Sequence, residues 1–265
     1  MLVIQVIVVS VIRYAQFFNE TIQMGDLNNN SRLDVATNIR TLNPGAFVIQ
    51  EGAFLFRAGD RLDGLYRVNS GSVKLYRISE EGEIKIIGFY LQSDLIGLDA
   101  LADGISRSNA ITMDISNISL IPFTTIFHHP KGFDHEGFIH KLGASYNRDM
   151  RHSIVLSQLT SRRLAWFLLE YSDAMAKCHF SPVEFILPMS RTDIALFLGM
   201  AVETLSRMFA GLRKQGILSI EHRKVRILEV DSLRKIADGN TAEENECWGT
   251  GMDGRMSGKK SAQGH

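Results

Sequence analysis

Residues 190–210, SRTDIALFLGMAVETLSRMFA, constrain the fold of this 265-residue chain more than any other segment. Ala195, Gly199 and Leu205 have the spacing of two short helices that pack across a sharp turn. Alanine is small where the helices touch, glycine can adopt the conformation that the turn needs, and leucine packs the second helix onto the first. The sequence therefore predicts a helix-turn-helix.

The second helix presents a polar face formed by Glu203, Thr204, Ser206 and Arg207. Arginine can donate two hydrogen bonds to guanine O6 and N7, glutamate can accept one from cytosine N4, and serine can contact thymine. These residues are therefore candidate readers of a DNA major groove. The alternative is a solvated ion pair between Glu203 and Arg207.

The residues around this stretch support the same interpretation. Ser190 and Asp193 fit a capping box, and Gly216 is expected to end the second helix. The inner faces of the two helices are predicted to consist of Ile194, Ala195 and Leu198, and of Leu205, Met208, Phe209 and Leu212. The following segment, ILSIEHRKVRILEV, predicts two strands around a basic turn, a wing that is well placed for phosphates. Further candidate DNA-binding residues are Ser190, Arg191, Arg223 and Lys224.

Two other regions precede the helix-turn-helix. Residues 44–127 contain short β-like runs separated by glycines, which predicts a small barrel or sandwich with hairpin turns at 69–71 and 80–82. From 134 to 171 apolar residues recur every three or four positions, which predicts a helix of roughly 45–55 Å that could break near Thr160. Such a helix is suited to form a dimer seam through Ile139, Leu142, Tyr146 and Met150. The alternative is a helix that packs only on its own domain.

Charge and cysteine content restrict the class further. The net charge is zero, but residues 184–226 carry seven basic and four acidic side chains, a local excess of three positive charges. This excess either attracts phosphates or belongs to an ordinary mixed surface. The two cysteines, Cys178 and Cys247, are far apart, which argues against a disulfide framework and fits the reducing cytoplasm. They are also too few for a four-thiolate iron–sulfur site.

The two ends of the chain lie outside these regions. The apolar run Leu2–Ile12 is too short to span a bilayer and lacks the features of a signal peptide. It is either an extra strand or sequence upstream of a natural start at Met24, and we favour the second. Residues 1–43 are thus an N-terminal extension, and 239–265 are expected to be a disordered tail. No membrane association is expected.

The segment Leu187–Leu218, LPMSRTDIALFLGMAVETLSRMFAGLRKQGIL, resembles the CRP/FNR family of bacterial transcription regulators. LFRAGDRLDGLYRVNSGSVKLYR and GFYLQSDLIGLDAL carry the resemblance into the β region, so that it spans about 44–237. It implies an α+β fold: a β-roll sensor of the cyclic-nucleotide-binding type (44–128), a dimerisation helix (129–171) and a winged helix-turn-helix (172–238). VETLSR is similar to the FNR/FixK-like branch.

The resemblance also implies a target and partners. Val202 stands where the cyclic-AMP receptor pattern has an arginine, which favours the palindrome TTGAT-N4-ATCAA, bound by a homodimer in the cytoplasm. The expected role is activation of microaerobic, anaerobic or nitrogen-fixation genes. Ser79, Gly82 and Glu83 match a loop that contacts RNA polymerase in FNR-like activators, or they form a solvated hairpin tip.

The sensor departs from the family pattern. The cysteines that hold an iron–sulfur cluster in FNR are absent, and Leu98 replaces a glutamate of the nucleotide cassette, although Arg107 and Ser108 could still mimic its phosphate contact. Arg107 is otherwise a surface loop residue. We therefore expect no cofactor, and we interpret His128 and His129 as loop histidines rather than metal ligands. Cys178 is either a redox-tuned thiol or an inert one.

No sequence motif indicates an enzyme: P-loop, G-x-S-x-G and H-E-x-x-H patterns are missing. Two alternatives to the DNA-binding activator remain open. One is a ligand-binding regulatory module that acts through protein contacts, and the other is a regulator that responds to a cyclic nucleotide.

Overall fold

The computed structural model describes residues 45–128 and 134–239. Its N-terminal part is a β domain built from short strands separated by tight turns. The strands are β1 (Ala46–Ile49), β2 (Phe54–Phe56), β3 (Gly64–Ser70), β4 (Val73–Ile78), β5 (Ile84–Tyr90), β6 (Leu95–Ile96), β7 (Asn109–Thr112) and β8 (Ser116–Pro122), with a 3-10 turn at Leu98–Ala100.

The strands form two antiparallel sheets, with the orders β1-β8-β3-β6 and β2-β7-β4-β5. Side chains of both sheets share one apolar core, which includes Leu65, Val68, Val73, Ile96 and Ile118. Each of these is fully buried, so the two sheets are held together mainly by the apolar area that they remove from water. The predicted β-rich fold of this region is confirmed.

One of the two predicted hairpins is wrong. β4 pairs with β5 through the turn at 79–83, as expected. β3 and β4, in contrast, lie in different sheets, so the turn at Gly71 carries the chain from one sheet to the other. Gly71 has φ +84°, and a Cβ there would lie 2.7 Å from the Ile115 carbonyl oxygen. Its glycine signal marks a close backbone approach rather than strand pairing.

The long helix expected over 134–171 is two helices. After α1 (Phe123–His128), α2 runs over His135–Val155 and α3 over Thr160–Lys177. The Ser157 hydroxyl donates to the Ile154 carbonyl at 2.7 Å, and Leu159 is extended, so residues 156–159 interrupt the helical ladder. The break precedes Thr160, which is the first residue of α3.

The C-terminal part contains β9 (Glu184–Ile186), α4 (Arg191–Phe197), α5 (Val202–Lys214), β10 (Leu218–Glu221), β11 (Lys224–Ile227) and α6 (Val230–Asp238). The wing is three-stranded, in the order β10-β11-β9. β9 and α6 were not predicted from the sequence. The core of this part continues into the β domain through Ile86, Leu91 and Met113, so the two parts are packed together.

Among the described residues no single helix is long and apolar enough to cross a membrane. Of the described helices, only α4 and α5 together have that length and composition, and they are bent sharply where they meet. The interpretations of Leu2–Ile12, Met24, His129, Cys247 and the tail after Gly239 concern segments outside the described residues.

Candidate nucleic-acid interface

Helices α4 and α5 meet at 102°, within the range of a helix-turn-helix. Gly199 takes the turn with φ +60°, the left-handed region that glycine adopts without strain. Ala195 is 1% exposed and Leu205 is completely buried, so both lie in the seam between the helices. The helix-turn-helix predicted from these three residues is confirmed.

Ser190 and Asp193 form the predicted capping box. The Ser190 hydroxyl accepts from the Asp193 backbone N–H at 3.0 Å, and the Asp193 carboxylate accepts from the Ser190 N–H at 3.4 Å. The same hydroxyl donates to Asp193 Oδ2 at 2.8 Å. The Ser190 side chain therefore fixes the start of α4, which limits its freedom to reach DNA.

Arg191 lies flat on the ring of Phe209, with 3.7 Å between the guanidinium carbon and the ring centroid. Burial lowers the pKa of Arg191, and its Nη1 atom is buried without a hydrogen-bond partner. The guanidinium borders a shallow groove that Ser206 and Arg213 of α5 also line. This groove thus contains an arginine with unused hydrogen-bonding capacity beside α5.

The polar face of α5 is free for contact with a partner. Glu203, Ser206 and Arg207 are exposed, and Arg207 Nη2 donates to the Thr204 hydroxyl at 3.3 Å. In the part of the chain that the structure describes, no ion pair joins Glu203 to Arg207. The alternative, a solvated ion pair between Glu203 and Arg207, is therefore not formed in this conformation. Both side chains can bind a partner.

The wing presents His222 and Arg223 at its tip, where His222 has φ +53°. Lys224, expected in the turn, lies instead at the start of β11, and its Nζ is 2.5 Å from Glu184 Oε1. Arg226 also pairs with the Glu184 carboxylate, and hydrogen bonds from Lys224 and Arg226 lower the pKa of Glu184. Arg223 is the exposed cation at the tip, while Glu184, which sequence reasoning missed, neutralises part of the wing's charge.

Helix α2 carries an exposed apolar stripe. Ile139 is 63% exposed and Tyr146 and Met150 are each 47% exposed, whereas Leu142 is half-buried. Ile154, one turn beyond Met150 and 58% exposed, extends the stripe and was not predicted. Large apolar side chains exposed along one helix face are typical of a surface that binds another chain.

Comparison with known proteins assigns the chain to a family. A Crp-like helix-turn-helix domain matches residues 162–236, and a cyclic nucleotide-binding domain matches residues 39–126. The fumarate and nitrate reduction regulatory protein of Escherichia coli K12 is 35% identical over 192 residues, 71% of this chain and 77% of that protein. This chain belongs to the CRP/FNR family. It is a DNA-binding transcription regulator of the CRP/FNR type.

Solved structures agree with this assignment. FixK2 from Bradyrhizobium japonicum is 26% identical with a TM-score of 0.61, covering 72% of this chain and 96% of that one. A CRP-family transcriptional regulator from Thermus thermophilus has a TM-score of 0.54 at 22% identity, covering 72% and 96%, which supports the fold alone. The expected CRP/FNR architecture is thus confirmed.

In this CRP/FNR chain the residues expected at the position of the nucleotide cassette, Asp99, Arg107 and Ser108, bind one another. Asp99 Oδ2 accepts from the Arg107 backbone N–H at 2.9 Å and from the Ser108 hydroxyl at 2.8 Å. The Arg107 guanidinium pairs with Asp103 and donates to the Ile105 carbonyl at 2.8 Å. Hydrogen bonding to Arg107 lowers the pKa of Asp103 to about 2. A phosphate that bound the Nη1 and Nη2 atoms of Arg107 would compete with Asp103.

The candidate polymerase loop is a tight turn between β4 and β5. The Ser79 N–H donates to the Glu83 carbonyl at 2.8 Å, and the Gly82 N–H donates to the Ser79 carbonyl at 3.0 Å. Ile78 and Ile84 flank the turn and are exposed. Ser79, Gly82 and Glu83 therefore lie together at an exposed tip with two apolar side chains beside it.

Cys178 lies just beyond α3, where its Sγ donates to the Gln92 carbonyl at 3.4 Å. Burial raises the pKa of the Cys178 thiol, which disfavours the reactive thiolate. His128 is exposed at the end of α1. Within residues 45–128 and 134–239, no group of three or more His, Cys, Asp or Glu side chains could hold a metal ion.

Proposed function

We propose that this regulator binds TTGAT-N4-ATCAA-like palindromes as a homodimer in the cytoplasm and activates transcription through contact with RNA polymerase. The observation that carries the proposal is the free face of Glu203, Ser206 and Arg207 on α5. The three side chains are exposed on the helix that follows the turn, which is the helix that enters the major groove in this motif.

Dimerisation rests on the stripe of α2. Ile139, Tyr146 and Met150 expose apolar surface on one helix face, and covering it with the same face of a second copy removes that surface from water. A twofold dimer would place its two recognition helices on half-sites about one helical turn apart, as a palindrome requires.

The regulated genes are proposed from the relatives. The E. coli relative is named for the regulation of fumarate and nitrate reduction, which agrees with a role in microaerobic or anaerobic metabolism. Nitrogen-fixation genes are a further expected class, because the recognition helix is similar to the FixK-like branch. For activation, the exposed turn of Ser79, Gly82 and Glu83 offers a surface to the polymerase.

The test is a fluorescence-anisotropy titration of the full chain on the palindrome and on a duplex with both half-sites scrambled, at physiological salt. We expect binding at least ~1000-fold tighter to the palindrome, the lower end of typical specificity ratios. Equal binding to both duplexes would contradict sequence-specific recognition, and no binding at low salt would favour a module that acts through protein contacts.

Two additions separate the remaining alternatives. Cyclic AMP or cyclic GMP is expected to leave the affinity for the palindrome unchanged, because Arg107 is already paired with Asp103. An increase in that affinity would identify a nucleotide-responsive regulator. Run-off transcription with purified polymerase is expected to rise on a promoter with the palindrome and to fall for a Glu83→Lys variant that still binds DNA.

A further inference from the structure

Three successive carbonyl groups at the turn of the helix-turn-helix are bound by side chains from outside the motif. His152 Nε2 lies 2.8 Å from the Phe197 carbonyl oxygen. Arg163 Nη1 donates to the carbonyls of Leu198 at 3.0 Å and Gly199 at 2.9 Å. The last carbonyls of a helix have no donor within it, so His152 and Arg163 supply donors to the end of α4.

The same two side chains belong to the helices on either side of the break at 156–159. His152 is in the last turn of α2, and Arg163 is in the first turn of α3. Arg163 Nε also donates to the carbonyl of Gln158, inside the break, at 2.8 Å. One guanidinium therefore connects the break to the turn between α4 and α5.

Ring packing reinforces the contact from α2. The His152 imidazole stacks on the Phe197 ring with 3.9 Å between centroids and 8° between planes. Its other neighbour is Trp166 of α3, at 5.8 Å and 15°. The end of the proposed dimerisation helix is thus fixed to the last residue of α4 by both a hydrogen bond and a stack.

The angle between α2 and the helix-turn-helix decides how far apart two recognition helices lie in a dimer. In a twofold dimer, a movement in one protomer is repeated in the other, so the separation changes by twice the movement. One base-pair step is about 3.4 Å along the DNA axis and about 34° around it, so each protomer has to move by about 1.7 Å and turn by about 17° to change the preferred spacing by one pair. Groups that hold the angle would therefore select the spacing.

We propose that His152 and Arg163 are positioning residues that set the half-site spacing this regulator accepts. The inference rests on the proposed binding of a palindrome by a dimer. It assigns a role in specificity to two residues outside the helix-turn-helix, separate from base recognition by Glu203, Ser206 and Arg207.

The experiment measures the affinity of the full chain for TTGAT-Nx-ATCAA duplexes with spacers of three, four and five bases. The variants are Arg163→Gln and His152→Phe, the second of which keeps the ring stack and removes the hydrogen bond. Arg151→Gln is the control, because Arg151 pairs with Glu170 at 3.0 Å across α2 and α3 without touching the three carbonyls. Arg163→Lys, which keeps one charged donor, is measured as well, and it becomes the test variant if urea unfolding shows that Arg163→Gln does not fold.

We expect wild type and Arg151→Gln to prefer the four-base spacer at least tenfold, and both test variants to lose at least threefold of that preference. Arg163→Lys should retain more of it than Arg163→Gln. A uniform loss of affinity on all three spacers, with the preference unchanged, would overturn this inference and leave the proposed function standing. If wild type binds none of the duplexes, the proposed function fails and the inference fails with it.

Discussion

Lys74 of β4 and Asp193 of α4 form an ion pair between the β domain and the helix-turn-helix, with Nζ 2.6 Å from Oδ1. The other carboxylate oxygen, Oδ2, accepts from the Ser190 hydroxyl of the capping box. A single aspartate therefore both starts α4 and fixes it to the sensor. Phe89 of β5 adds to this contact, because its ring packs 5.1 Å from that of Phe197 at the other end of α4.

This pair leads to a prediction about coupling. Lys74→Met and Asp193→Asn should each lower the free energy of unfolding by about 1–2 kcal/mol, between the values for exposed and buried pairs, because both side chains are partly shielded. The double variant should lose less than the sum. Urea denaturation of the four proteins measures the coupling, and Lys85→Met, on the exposed part of β5, is the control that should change little. Strict additivity would show that the pair contributes nothing.

The Arg207→Ala variant tests base recognition. Loss of its two donors should weaken binding by about 1–3 kcal/mol and remove the preference for guanine at one half-site position. Competition titrations with guanine replaced by adenine measure this. Arg223→Ala in the wing is the contrast, because a phosphate contact should weaken all sequences alike and reduce the salt slope by about one. Equal loss on every sequence for Arg207→Ala would refute direct readout.

The double substitution Ile139→Glu and Met150→Glu tests the dimer face. Each isoleucine or methionine that is buried in an interface contributes roughly 1.5–3 kcal/mol, so two charges at these positions should convert the dimer to monomers. Sedimentation velocity measures the state directly. Ile115→Glu introduces a charge at a residue that is 62% exposed outside α2, and it should leave the dimer intact. A double variant that stays dimeric would place the interface elsewhere.

How far the sequence predicts this molecule depends on how local each feature is. Ser190 and Asp193 bond to each other within one turn, and Ala195 and Gly199 lie four residues apart, so their spacing alone identifies the helix-turn-helix. The pair of Lys74 and Asp193 joins residues 119 positions apart, and no local pattern records it. The same holds for β9, whose three residues gain their strand structure from pairing with β11.

The break between α2 and α3 lies just before Thr160, where the sequence only suggested that one long helix could be interrupted. Apolar residues continue at helical spacing through Val155 and Leu159, and this periodicity does not distinguish one helix from two that bury faces against different partners. Side-chain bonds accompany the break: the Ser157 hydroxyl donates to the Ile154 carbonyl, and Arg163 donates to the Gln158 carbonyl. The roles of His152 and Arg163 could not be predicted either. Their acceptors are backbone carbonyls of residues distant in the sequence, and no residue pattern records such bonds.

Gly199→Ala tests the strain at the turn. An added Cβ would meet Arg163 Nη1 at 3.4 Å and Leu156 Cδ2 at 3.5 Å, which are ordinary contacts. The penalty therefore comes from the left-handed backbone, and we expect a loss of about 1–2 kcal/mol in urea unfolding. Gly143→Ala, in α2 with nothing within 4 Å of the new Cβ, should instead stabilise by roughly 0.5–1 kcal/mol. Similar effects at both positions would contradict the role of the turn.

His152 should make the stability of the protein depend on pH. Burial lowers the pKa of His152 from its ordinary value of 6.5, although the bond to Phe197 and the charge of Asp149 oppose this. Above that value the imidazole is neutral in the folded and unfolded chains and adds no pH dependence. As the pH falls below it, the unfolded chain binds a proton that the folded chain resists, so the free energy of unfolding decreases. Urea unfolding of wild type and His152→Phe at several pH values from neutral downward isolates this contribution, because the other histidines are common to both. The variant should lose less stability than wild type on acidification, and parallel curves would show that His152 titrates alike in both states.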